Sequence, residues 1–195
     1  SEDRLHRADA LCALGFAQRR DGRYEDSARS IRQALEIRTA ELGPDDPTVA
    51  TTLIYLSWPV RRLRRILDAE QLIRKALAIW NRDPEGNAAT IAAALSSLAE
   101  TLFLQYRYVD AEDAAKQALD SIGATLGKES AMYATALTTL AGILGYTSRP
   151  AEAEQCYLAS IELSRRLLSP DHQNLAGVFE RYAGLLRHLN RYHEA

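Results

Sequence analysis

The chain has 195 residues, with 24 lysines and arginines against 26 aspartates and glutamates, for a net charge of −2. That balance argues against a general affinity for nucleic acid or anionic membrane, and no apolar run approaches the ~20 residues that span a bilayer. An apolar content of 47% with 26% charged residues is ordinary for a core-forming globular chain.

The first predicted helix runs from Leu5 to Arg20, with Leu11, Leu14 and Phe16 at helical spacing. Asp21-Gly22-Arg23 is a turn, and Gly22 can take the left-handed conformation that closes a helix. A second helix is predicted from Tyr24 to Leu42, with Ile31, Ala34, Leu35 and Ile37 on its inner face. Gly43-Pro44-Asp45-Asp46-Pro47 then reads as stop and restart: glycine ends one helix, Asp46 caps the next, and Pro47 suits the first helical position. Ser169-Pro170-Asp171-His172 repeats this signal. The next helix contains Pro59, which predicts a kink or an early end near Trp58, because proline lacks the N–H and clashes with the preceding turn. Arg64 stands where Gly22 stood, so the turn glycine is lost there, and Pro84 replaces the Leu42 position, which predicts an altered loop.

These elements recur every 42 residues. Ala34, Ala76, Ala118 and Ser160 form one small-residue column, followed by Leu35, Leu77, Leu119 and Ile161. Ser27, Ala69, Ala111, Ala153 and Ala195 form another. In the first helices Leu14, Leu56, Leu98, Leu140 and Tyr182 align, backed by Gly15, Ser57, Ala99, Ala141 and Ala183. Such a repeat reads as a solenoid of stacked helical hairpins, an all-α architecture in which small residues let helices approach closely. Leucine at Ala111 or Ala153 is expected to overpack the contact, at about 1–3 kcal/mol. The repeats fall at about 5–46, 47–88, 89–130, 131–172 and a truncated 173–195, about four and a half in a single array. The start without methionine and the stop inside a repeat read as a segment of a longer protein.

Leu11, Leu14, Gly15, Tyr24, Ser27, Ile31 and Ala34, with their counterparts at steps of 42, resemble the tetratricopeptide repeat family. The loop 42–47 and the turn Gly22-Arg23-Tyr24 resemble its long variety, found in kinesin light chains and in many bacterial signalling proteins. The resemblance implies a right-handed α-solenoid of antiparallel helix pairs, with the first helices lining a concave face that holds a peptide or helix of a partner. It places Phe16, Trp58, Glu100, Gly142 and Gly184 on that face, together with Arg19, Arg61, Phe103, Gly145 and Arg187, and Cys12, Ile54, Ser96, Thr138 and Glu180. Candidate partner-binding residues are therefore Phe16, Arg19, Trp58, Arg61, Arg62, Phe103, Gly142, Gly145, Gly184 and Arg187. Each has a plainer reading. Phe16 and Trp58 can pad the core between repeats, and the glycines can serve close helix packing rather than approach of a peptide backbone. Arg61-Arg62-Leu63-Arg64-Arg65 can be a solvated turn rather than a site for an acidic peptide, phosphate or acidic domain. The asparagines and lysines that other members use as clamps are absent, so apolar recognition with arginine assistance is expected.

No catalytic constellation, phosphate loop or zinc motif stands out, and no cofactor or metal is expected. His188 and His193 are poorly spaced for two ligands on one helical face, and His172 suits a capping role. Cys12 and Cys156, in distant repeats, read as free thiols of a cytoplasmic protein. Only three of the 24 basic residues are lysines, a compositional hint of a bacterial source. The expected partner is a protein or peptide, not nucleic acid or membrane. A regulatory segment of a larger signalling protein, or self-association through exposed array ends, stands as the alternative.

Overall fold

The computed structural model describes residues 2–167 and 173–191. Among these are nine α-helices and no strand: α1 (Glu2–Arg20), α2 (Tyr24–Leu42), α3 (Pro47–Arg62), α4 (Ile66–Trp80), α5 (Ala88–Phe103), α6 (Tyr108–Thr125), α7 (Ala131–Tyr146), α8 (Pro150–Leu167) and α9 (Gln173–His188). The all-α class expected from the periodicity is what the chain adopts. The chain forms two compact units, Ser1–Asn87 and Ala88–Ala195. In the first, α1 packs on α2 and α3 on α4 as hairpins, and α2 and α1 both pack on α3. In the second, α5 pairs with α6 and α7 with α8, while α6 and α5 pack on α7 and α8 and α7 on α9. The Ser169–His172 signal, the Ala195 position and His193 lie outside the described residues.

Helix starts follow the sequence signals. Asp46 accepts a hydrogen bond from the Thr48 N–H at 2.7 Å, with Pro47 opening α3. Two repeats on, Ser130 does the same for α7, accepting from Tyr133 N–H at 3.3 Å. Each satisfies one N–H left orphaned at a helix start.

The tight turns are more regular than the sequence led us to expect. Gly22 has φ of 76°, and Arg64, Tyr106, Ser148 and Asn190, at successive steps of 42, have φ of 63°, 61°, 58° and 61°. The residue after each donates its N–H back across the turn, Arg23 to Gln18, Arg65 to Val60, Arg107 to Leu102, Arg149 to Leu144 and Arg191 to Leu186. Loss of glycine at Arg64 therefore does not lose the turn. The closing hydrogen bonds hold the left-handed conformation against a steric penalty of about 1–2 kcal/mol for a side-chain-bearing residue. Exposed Ser148 is a clean test: Ser148→Gly raises unfolding free energy by about 0.5–1 kcal/mol, the steric relief less the extra unfolded-state entropy of glycine, measured by urea denaturation.

One expectation is corrected. Helix α3 does not end near Trp58; it runs through Pro59 to Arg62, four residues farther than Trp58 and level with the end of α1 at Arg20. The proline ring is fully buried, and the bond it removes is the single one from position 59 to the carbonyl of Tyr55. The Pro59 carbonyl still accepts from Leu63 N–H at 3.0 Å, so the last turn closes and packing overrides propensity. Pro84 has the expected effect. Helix α4 stops at Trp80, giving 15 residues against 19 in α2.

Both small-residue columns are fully buried wherever described. At Gly15 the reason is explicit: a Cβ there would stand 2.5 Å from Ile31 Cγ1. The Ser27 hydroxyl completes the contact by donating to the Gly15 carbonyl at 2.8 Å. Leu56, Leu98 and Leu140 are buried, whereas their counterpart Leu14 is 47% exposed.

Candidate functional site

In the first compact unit the ends of α1 and α3 lie together, because equivalent first helices pack side by side. Arg19 and Arg20 form the last turn of α1, Arg61 and Arg62 that of α3. Tyr24 opens α2 directly after the tight turn. These residues and Trp58 line an open cavity of about 330 Å³. The Arg19 guanidinium carbon lies over the Trp58 ring, 4.8 Å from its centroid, and that of Arg62 lies over Tyr24 at 5.2 Å. Cation–π contacts of this kind contribute about 0.5–1 kcal/mol at exposed sites and hold the long arginine side chains in place. The Nε of Arg19 is buried with no acceptor, an arrangement that native structures rarely tolerate without a reason.

Phe16 stands edge-on to Tyr55, with centroids 4.7 Å apart, and both pack against the buried Ala8, Cys12 and Ala34. Phe16 thus pads the core between repeats. Trp58 does both jobs, since it touches Tyr55 at 5.5 Å and carries Arg19 on its ring. The structure therefore joins Arg19, Trp58, Arg61 and Arg62 in one cavity, with Phe16 behind them.

The remaining candidates lie in the second compact unit. Phe103 joins a cluster with Tyr108 at 5.5 Å and Tyr146 at 5.0 Å, and Tyr106 caps it edge-on to Tyr108. Tyr106 and Tyr146 are 79% and 68% exposed. Gly145 serves close packing: a Cβ there would meet Leu185 Cδ1 at 3.2 Å. At Gly142 a Cβ would sit in ordinary contact with the Tyr157 hydroxyl, and at Gly184 it would meet nothing. Arg187 is exposed in the last turn of α9.

Sequence reasoning missed Arg20, Tyr24 and Tyr55 in the first cluster and Tyr106, Tyr108 and Tyr146 in the second. A signal was there. Tyr24 and Tyr108 share one repeat column, as do Arg62 and Tyr146, and the stack of Arg62 on Tyr24 is repeated as Tyr146 on Tyr108 at 6.0 Å.

A further column carries charge. Arginine occupies positions 23, 65, 107, 149 and 191 without exception. Arg65, Arg107 and Arg149 each pair with the acid three residues on, Asp68, Asp110 and Glu152. Arg149 also reaches back to Glu112 at 2.7 Å, and Arg191 to Glu154 at 2.7 Å, tying successive hairpins together. Hydrogen bonds from Lys116 and then Arg149 hold the Glu112 carboxyl below the ordinary value of 4.5, against the opposing effect of burial. Arg149 does the same for Glu152. A carboxylate with a lowered folded-state pKa contributes stability that is complete above its unfolded pKa and is lost as pH falls through the folded value. Melting temperature therefore falls as pH is lowered below the ordinary carboxylate value of 4.5, and Arg149→Gln shallows that acid limb. Thermal melts at neutral and acid pH check it.

Among the described residues no group of three or more His, Cys, Asp or Glu is placed to hold a metal. Cys12 and Cys156 are free thiols, each pushed up in pKa mainly by burial. No helix among the described residues is long and apolar enough to cross a membrane.

Residues 7–48 and 91–131 match one tetratricopeptide repeat family model, and residues 125–195 match a second. The chain belongs to the tetratricopeptide repeat family. Tetratricopeptide repeats are generally protein-interaction scaffolds and typically not enzymes. Solved structures agree on the fold. BtubC (BKLC) from P. vanneervenii superposes with a TM-score of 0.78 at 19% identity, over 96% of this chain and 74% of that one. A Podosopora anserina protein assigned as a kinesin light chain, with nearly identical TPR-like repeats, gives 0.77 at 15% identity over 97% and 90%. PilF of Pseudomonas aeruginosa gives 0.68 at 24% over 97% and 72%. Among curated proteins no sequence match was found. The long kinesin-light-chain-like variety that the loop 42–47 and the turn at Gly22 resemble accords with these neighbours.

Proposed function

We propose that this tetratricopeptide repeat chain is a scaffold that docks a peptide or helix of a partner protein on the surface lined by the first helices α1 and α3 of its first compact unit. Arg19, Trp58, Arg61 and Arg62 form the centre of that surface. The observation that carries the reading is the open cavity at the ends of α1 and α3, where arginine and aromatic side chains converge. Tryptophan and arginine are the side chains most often found as interface anchors, and here each fixes the other's orientation before a partner arrives. The two free thiols favour a reducing, cytoplasmic setting.

Trp58 and Arg61 are part-exposed, so the double substitution Trp58→Ala with Arg61→Glu leaves most of the core in place. Affinity capture with the full-length protein is expected to lose the partners that the wild type recovers, while circular dichroism stays helical. Recovery of the same partners by a folded double variant contradicts the reading.

A further inference from the structure

The chemistry of the docked group can be read from the same cavity, and the inference rests on the docking reading above. Four guanidinium groups line it, and no carboxylate does. Arg19, Arg20 and Arg62 form no ion pair among the described residues, whereas nearby Arg65 is held by Asp68 at 2.6 Å. Compensation of the helix dipole does not account for them. Helices α5 and α7 carry no basic residue in the last turn, and Phe103 and Gly145 occupy the column of Arg19 and Arg61. The repeat therefore folds without cations here.

The aromatic rings are already engaged. Arg19 lies over Trp58 and Arg62 over Tyr24, and Trp58 is further flanked by Tyr55 and Phe16. The rings act as backing plates that orient guanidinium groups, rather than as free faces for an apolar anchor. What the cavity offers a ligand is a set of N–H donors with concentrated positive charge. One carboxylate neutralises a single arginine, whereas a phosphate monoester brings a charge of about −1.5 to −2 and three acceptor oxygens. We infer that the cavity receives a phosphorylated side chain on a segment of the partner protein. A volume of about 330 Å³ accommodates one such side chain and not a folded domain.

The test is a fluorescence-anisotropy titration of the intact chain with a labelled Ala-Ala-phosphoserine-Ala-Ala peptide and its serine and glutamate counterparts. The phosphopeptide is expected to bind about tenfold or more tighter than the glutamate peptide. Its affinity falls about three- to fourfold from pH 7.5 to pH 5.5, because the phosphate loses its second charge near pH 6. A carboxylate ligand does not titrate in that range. The double variant Arg19→Lys with Arg62→Lys keeps the charge but removes the planar forks, and is expected to bind the phosphopeptide about tenfold more weakly. Equal affinity for the glutamate peptide would replace the phosphate assignment with a merely acidic segment. Unchanged binding by the lysine variant, or no binding of the phosphopeptide, overturns it. If partner capture is still lost in Trp58→Ala with Arg61→Glu, docking stands and only the phosphate falls.

Discussion

Replacing Ile31 with alanine lowers the unfolding free energy by about 2–5 kcal/mol, the range for a large buried aliphatic side chain cut to a methyl group. Ile31 is fully buried and joins Ala28 of its own helix to Leu56 and Val60 of α3 and Ala69 of α4. It thus holds one hairpin onto the next. Tyr55 packs on the same cluster and touches Trp58, so the loss also loosens the wall behind Arg19. Both tryptophans, Trp58 and Trp80, lie in the first compact unit, so their fluorescence in a urea titration reports its unfolding. A second variant makes the result specific. Gly15→Ala alone is destabilising, because its Cβ meets Ile31 Cγ1. Removing that atom in the double variant Gly15→Ala with Ile31→Ala makes the combined loss smaller than the sum, by about 0.5–3 kcal/mol of coupling. Strict additivity would mean that the two helices do not meet as described.

Ala153→Leu is the second large effect, a loss of about 1–3 kcal/mol from overpacking at a fully buried helix crossing in the second compact unit. Leu158, in the same helix, is 49% exposed, and Leu158→Ala shifts stability by less than about 0.5 kcal/mol. Circular dichroism melts of the two variants make the comparison. The reverse order of effects would mean that the small-residue column is not a packing device.

Much of this fold was legible because each repeat restates the same physical solution. The alanine and serine columns marked the crossings, and Gly43, Asp46 and Pro47 marked a boundary that the structure keeps. The one error came from reading a residue by itself. Pro59 taken alone predicts a kink or an early end near Trp58, but the early end does not occur: the ring is buried and the helix continues to Arg62. At Arg64 the turn glycine is absent, as the sequence shows, and the hydrogen bond from Arg65 to Val60 holds the left-handed geometry without it. The cavity was half legible. The family resemblance brought Arg19, Trp58 and Arg61 to one face. Arg20 and Tyr24 were not among the site candidates, because they flank a turn and carry no apolar periodicity. The arginines at 65, 107, 149 and 191 were visible as a column in the sequence, yet their pairing across hairpins depends on packing that only coordinates reveal.

The most direct measurement is hydrogen–deuterium exchange of the full-length protein, with and without its captured partner. Protection on binding is expected to concentrate at residues 19–24 and 58–64, the last turns of α1 and α3 and the start of α2. Protection confined to other helices, with those two segments unchanged, would contradict it.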